Sequence, residues 1–561
     1  MRKEYQKYIQ GNNAVIPFGI TRIDCCAFAF CKNLIYIEIP NSVTLIDSSA
    51  FENCSALTSI EIPDSVTKIG CKAFKGCSSL KRIEIPESVT AIESEAFEDC
   101  RDLSSILIPS SVNKIGRGAF TGCTNLTSIS VNDCNPVYYS KNNCIIERER
   151  YIYIHGRNEP ITLQQILIAG CNSSVIPDGV TQIDENAFSG CSRLERIDFP
   201  ISVTSIGRAA FSNCTGLTNI IIPNSVKRIG WSAFSDCTRL KNVKISDSVD
   251  EIGIDVFERC SNLTNVEIPD TVVKIDSGAF DGCTGLTRIK IPNSVSKIGW
   301  RAFSDCKHLT SIQIPNGVSR IKSQTFFRCS SLSGIVLPNS IIEIEDSAFQ
   351  DCRALKSMEI PNSVTTIGAS AFWGCASLTT IEIPDSLTEI GRNAFSHCPA
   401  LTSIVAHGDN PMFVSKNNCL LDKSSKSILY LGCKSSIIPN GVTTIGEDAF
   451  SGCIGLSNIV IPDGVTDIAP FAFAGCSGLK RVEFPNSIQR IGTLAFAGID
   501  DLMEIHFHFN KPSEAAKLFE GDGLSSLNYH QITLFTPIGT GYAYRNDGFF
   551  SQFKEIKPVI Q

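Results

Sequence analysis

Residues 80–100 read LKRIEIPESVTAIESEAFEDC, and the reading of this stretch decides the fold. Ile83, Glu84 and Ile85 alternate apolar, polar, apolar, the period of a short strand with one buried face. Pro86 has no N–H to give to a ladder and ends that strand. Ser88, Val89, Thr90 and Ile92 then carry the chain back in a second extended segment. Residues 96–99 bring it round to the next strand in a short turn or a single helical turn. Leu80, Ile83, Ile85, Val89, Ile92, Ala96, Phe97 and Cys100 are the apolar positions, so strand, return and turn enclose one interior.

The same register returns every 23 residues. Phe97 belongs to the run Phe28, Phe51, Phe74, Phe97 and Phe120; ten more follow from Phe188 to Phe395, and Phe450, Phe473 and Phe496 complete eighteen. Fixed self-similarity of this kind marks a solenoid in which each coil touches only its neighbours. A column of phenylalanines is then core, with offset or edge-to-face ring contacts adding to the burial.

The pattern LxxIxIPxxVxxIgxxAFxxC recurs at residues 57–77 (LTSIEIPDSVTKIGCKAFKGC) and 378–398 (LTTIEIPDSLTEIGRNAFSHC). It resembles the BspA-type leucine-rich repeat. That resemblance implies an α/β-class, β-rich, right-handed leucine-rich-repeat solenoid with its parallel sheet on the concave face. It also implies protein–protein contact, with adhesion to host proteins among secreted members, and it brings no catalytic residues.

With 50 basic and 57 acidic residues the net charge is −7, too mild to point to nucleic acid or a membrane surface. No apolar run approaches the roughly 18 residues of a transmembrane helix. The opening MRKEYQKYIQGNNAVIP has basic residues but no apolar signal core. The expected location is cytoplasmic as written, or cell-surface or secreted if a leader was removed. Of 25 cysteines, seventeen occupy one column, four residues after the repeat alanine, and Ile499 fills the same slot in the last repeat. The column therefore reads as small apolar packing, a ladder of reduced thiols. Parallel Cβ vectors about 4.8 Å apart are too distant for a relaxed bridge, which wants about 3.8 Å. Cys25, Cys26, Cys71, Cys134, Cys144, Cys171, Cys419 and Cys433 lie outside the column, with none at metal-ligand spacing.

The period fails twice, between Phe120 and Phe188 and between Phe395 and Phe450. The two inserts share a text: NPVYYSKNNCIIERERYIYI at 135–154 and NPMFVSKNNCLLDKSSKSILYL at 410–431. Asn-Pro starts a turn, and in the first insert residues 144–146 and 151–154 read as β-prone runs flanking polar residues, a hairpin. The expected organisation is an N-terminal cap at 1–15, a solenoid at 16–508 and a C-terminal cap at 509–561. The irregular, hairpin-bearing coils fall at about 130–175 and 405–435 without breaking the stack. Within the C-terminal cap, residues 511–520 read as a helix with Ser513 as N-cap.

No phosphate loop, nucleophile elbow or metalloprotease motif is present, so the reading is non-enzymatic, with no cofactor and no metal. The histidines are His155, His308, His397, His407, His506, His508 and His530; only His506 and His508 are close, and they read as surface or cap residues. Two outward columns are the candidate contact sites. The residue between the strand isoleucines gives Glu38, Glu61 and Glu84, like charges in successive coils that Arg82 can offset, and later Lys244, Glu267 and Lys290, which alternate in sign. The column after Ile-Gly gives Trp231, Ile254, Ser277 and Trp300, where most repeats carry Ser, Arg or Glu. Exposed apolar patches mark contact sites, and tryptophan is enriched at interface hot spots. The functional reading is a scaffold for an unidentified protein partner, with no nucleic acid and no membrane insertion. A host-binding adhesin and an accessory or sensor subunit of an enzyme complex are the alternatives.

Phe280→Ala should cost about 3–5 kcal/mol, because a large buried ring leaves a cavity. Hydrogen exchange should rise first in the adjoining coils, since coupling in a solenoid is nearest-neighbour. An equal rise in distant coils, or none, contradicts the repeat reading.

Overall fold

The computed structural model describes residues 3–152 and 161–559. Tyr153 and Ile154, part of the expected first hairpin, and His155 lie outside the described residues. The chain divides into two compact units, Met1–Ser294 and Val295–Gln561.

In the first unit neighbouring coils bond at three kinds of place, though not every pair of coils uses all three. The strand of the Ile-x-Ile motif pairs in parallel with its equivalent 23 residues on, as Ser59–Glu61 does with Arg82–Glu84. The return segments form a second parallel ladder through Arg22–Ile23, Leu45–Ile46, Lys68–Ile69, Ala91–Ile92 and Lys114–Ile115. At the turns, the N–H of Phe28, Phe51, Phe74 and Phe97 each donates at 2.8 Å to the next coil's alanine carbonyl. The second unit repeats this plan, with Arg320–Ile321, Glu343–Ile344, Thr366–Ile367 and Glu389–Ile390 as consecutive return strands.

The small polar residues of the return segment also act between coils. Ser65, Ser88 and Ser111 donate Oγ–H to the carbonyls of Val43, Val66 and Val89 at 2.6–2.7 Å. Thr44, Thr67 and Thr90 donate to the preceding coil's threonine carbonyl at 3.1–3.2 Å. Ser-Val-Thr is thus a clamp around one buried valine.

The Ala-Phe segment resolves into successive turns and not a helical turn. Two residues per coil take positive φ, as Glu95 at 57° and Asp99 at 57° do, each third in a turn closed by Ala96 N–H to Glu93 O or Cys100 N–H to Phe97 O. A type II turn requires this conformation at that position. Asn, Asp and Gly hold most of the second site, where they are tolerated best.

The rings stack nearly parallel. Phe51 and Phe74 have centroids 5.3 Å apart at 6°, and Phe349 and Phe372 5.3 Å apart at 11°. Tyr5 closes the first column edge-on against Phe28, at 5.3 Å and 71°, and gives its hydroxyl to Asp24. The cysteine column is more than packing. Within the regular runs the thiol reaches the Phe carbonyl of the preceding coil, Cys54 to Phe28 at 3.1 Å, Cys77 to Phe51 at 3.1 Å and Cys352 to Phe326 at 3.1 Å, whereas after the inserts Cys191 and Cys453 reach Gly170 O and Gly432 O at 3.8 Å. All 25 cysteines are free. Burial pushes the thiols of Cys77, Cys123, Cys398 and Cys476 up to about 12.

The inserts differ from the expected hairpin. In the first, Tyr138–Lys141, Cys144–Ile152 and Ile161–Ala169 form a three-stranded antiparallel meander whose last strand joins the return ladder in parallel. Residues 144–146 and 151–152 therefore lie on one strand and do not face each other. The second insert repeats the meander with Phe413–Lys416, Cys419–Asp422 and Ile428–Leu431. In both, the asparagine of Asn-Pro is buried and takes over a missing turn. Asn135 Nδ2 donates to Pro109 O and Val112 O while its Oδ1 accepts from Val137 and Tyr138, and Asn410 makes the equivalent four bonds. Gly170 and Gly432 stand in the coil that has no ring of its own. A Cβ there would sit 2.0 and 2.1 Å from Cε1 of Phe188 and Phe450.

At the C-terminal end the strands Glu504–Phe507, Thr533–Thr536 and Glu555–Pro558 extend the sheet in parallel. The last strand carries Glu555, Lys557 and Pro558, which discourage edge-to-edge pairing. The helix is shorter than expected, Pro512–Ala516 followed by a 3-10 turn Lys517–Phe519. Its N-cap is Lys511 and not Ser513, because Pro512 already has the fixed φ of a first helical residue.

Gly432→Ala should lower stability by about 1–3 kcal/mol, the usual cost of overpacking. Gly334→Ala, where a Cβ meets nothing within 4 Å, should be neutral or stabilising. Thermal melts of the two variants check the pair; equal effects would mean the Phe450 ring does not fill the Gly432 slot.

Candidate functional site

Trp231 follows the return strand Arg228–Ile229 after Gly230 and faces outward, 55% exposed. Its indole leans on the next coil, where a Cβ at Gly253 would meet Cδ1 at 3.4 Å. Beside it lies an open cleft of about 860 Å³ with Ser205, Arg208, Arg228, Asp250 and Glu251 in its walls. Ile254 is half-buried. The return ladder thus seats one edge of the indole against the next coil and leaves the rest of the ring open.

Trp300 lies in the second unit and is 48% exposed. The guanidinium of Arg301 sits over its ring, 5.2 Å from the centroid, and covers part of it.

Glu38, Glu61 and Glu84 are all exposed. Glu61 and Glu84 lie directly opposite each other in a parallel pair, and Glu38 stands opposite Val15. Arg82 contacts Glu84. Both members of that pair are more than three-quarters exposed, so water screens it and its contribution is small. Lys244 approaches Glu267 at 4.0 Å.

His506 and His508 separate. His508 is exposed and meets Glu483 at 2.9 Å, whereas His506 is 8% exposed and stacks on Phe535 at 4.2 Å. Burial lowers the His506 pKa, against the opposing pull of Glu504 at 3.1 Å. Among the described residues no group of three or more His, Cys, Asp or Glu is placed to hold a metal ion. Likewise, no helix among them is long and apolar enough to cross a membrane.

Sequence reading passed over the third tryptophan. Trp373 follows a column Phe and packs against His397 with the rings tilted by 38°, centroids 4.7 Å apart. Burial lowers the His397 pKa, and its Nδ1 has no hydrogen-bond partner. The signal was available: Trp373 and His397 break a stretch of the turn in which small residues are common.

The BspA type leucine rich repeat region matches residues 2–127, 168–287, 274–402 and 424–546. Among solved structures, a leucine-rich repeat protein from Bacteroides ovatus is 30% identical, covering 68% of this chain and 91% of its own, with a TM-score of 0.41. A leucine rich cell surface protein from Faecalibacterium prausnitzii is 25% identical over 77% of this chain and 86% of its own, with a TM-score of 0.34. No curated protein matches. With the repeat matched over most of its length and the coil seen in both units, the chain belongs to the BspA type leucine rich repeat family.

Proposed function

We propose that this protein is a non-enzymatic scaffold that holds a protein partner on its outward columns. Trp231 carries the reading: a half-exposed indole beside a cleft whose walls mix Arg208 and Arg228 with Asp250 and Glu251. Solvating such a ring is unfavourable, and a partner that covers it gains most where flanking charges fix its orientation. Neighbouring coils are locked by hydrogen bonds, so little entropy is lost on docking. Trp300, in the second unit, is a separate exposed indole of the same column, partly shielded by Arg301. Free thiols at all 25 cysteines favour a reducing compartment.

Pull-down with mass spectrometry supplies a partner, whose affinity is then measured against two pairs of substitutions. Trp231→Ala with Trp300→Ala should weaken binding by about tenfold or more, as removal of a hot spot does. Glu61→Lys with Glu84→Lys should change it little. The reverse result, with the tryptophan pair within about twofold and the glutamate pair abolishing binding, would move the site to the acidic strip.

A further inference from the structure

The two inserts share a text but differ at two residues, each in the wall of one of two adjoining cavities at the end of the return ladder. Before the first insert the ladder ends at Lys114–Ile115, and the N–H of Ile115 donates to the hydroxyl of Tyr138 at 3.0 Å. That hydroxyl closes the end of the ladder. Before the second insert the ladder ends at Glu389–Ile390, and the residue in the register of Tyr138 is Phe413. Phenylalanine has no hydroxyl to offer. Ile390 instead borders a cavity of about 400 Å³, and a neighbouring one of the same size shares its Ile390, Ile428 and Tyr430 wall.

The second difference is Asp448, which stands where the first insert has Asn186. Both precede a column Phe by two residues with φ near +58°. Asn186 is half-exposed. Asp448 is 7% exposed, lines the first cavity, and its Oδ2 has no hydrogen-bond partner. Arg392 Nε lies 3.6 Å from that oxygen, too far for a hydrogen bond, and its Nη2 is engaged by Glu447 at 2.5 Å. A buried carboxylate oxygen without a donor is costly, and a bound donor removes the cost.

Charge and shape narrow the ligand. Arg392 is the one cation in the two linings, against Glu447 and Asp448 in the first and Glu389 and Asp422 in the second. Phe395, Leu420 and Leu431 give the first wall its apolar part, Asn393, Ser396 and Thr444 add neutral polar groups, and Tyr430 presents a part-exposed ring against which a cation is favourable. A mostly apolar pocket with a few fixed polar groups is the usual form of a small-molecule site. We propose that the cavity beside Asp448 binds a small primary amine with an apolar body, its ammonium donating to the Asp448 carboxylate.

The inference does not depend on the scaffold reading, and its test needs no partner. Phenethylamine is titrated into the full chain by calorimetry, with phenylacetate, the same ring with the opposite charge, as control. Saturable binding of phenethylamine and none of phenylacetate is expected. Asp448→Asn and Phe413→Tyr should each weaken phenethylamine by about tenfold or more, the first by removing the charge and the second by setting a hydroxyl against the Ile390 wall that the two cavities share. Both import the residue that the first insert already carries, so both should melt as the parent does. Should Asp448→Asn melt early, Phe413→Tyr decides alone. No saturable phenethylamine binding, equal binding of phenylacetate, or an unchanged affinity in folded Asp448→Asn overturns the proposal.

Discussion

Where one regular coil follows another, the carbonyl of the column phenylalanine accepts two hydrogen bonds, and the rest of the architecture is arranged around that fact. Phe51 O takes the N–H of Cys54 from its own turn at 3.1 Å and the thiol of Cys77 from the next coil at 3.1 Å. The first bond closes the turn, and the second ties adjacent coils at their most buried point. A carbonyl has two lone pairs, and inside a dry core both gain from a donor. Cysteine suits the slot because it is small enough to stack every coil, apolar enough to be buried, and still carries a weak donor. Shifting the chain by one residue would move ring, thiol and strand isoleucines off the core together, so the 23-residue spacing is held by all of them at once.

Much of this was legible in the text of one repeat. Ile83 and Ile85 gave the strand, Pro86 its end, and the return of Phe97 every 23 residues the stacking. The thiol's second role was not legible, since Ile499 in the same column argues for packing alone, and a weak donor leaves no mark on composition. Positive φ was half legible: Asp99 and Gly122 advertise it, but Lys72 and Glu95 do not, because there the next coil's carbonyl holds the backbone against its own preference. The inserts were recognised as departures, yet their pairing was misjudged. Glu147 to Arg150 read as a polar break when they lie within one strand, whose partners are distant in sequence.

Candidate sites follow the same division. Trp231 and Trp300 stood out because a column of Ser, Arg and Glu makes an exception visible, while Trp373 lay in a position whose orientation sequence does not give. Asp448 and Phe413 were hidden for a different reason. Each is an ordinary residue at its position, and only the contrast with Asn186 and Tyr138, in a fold that sets the two on adjoining cavities, gives them meaning. Regular coils supply stiffness, and departures from regularity supply surfaces: an indole beside a cleft in the first unit, an unplugged ladder end in the second.

The central claim is a ladder of buried, reduced thiols bonded from coil to coil, and thiol reactivity tests it most directly. Under native, non-reducing conditions a neutral-pH thiol reagent should modify only Cys25, Cys26, Cys31, Cys71 and Cys134, the cysteines that are not buried. After denaturation without reductant, all 25 should react. Rapid native modification of the buried twenty, or a denatured count well short of 25 once handling oxidation is excluded, would contradict the ladder.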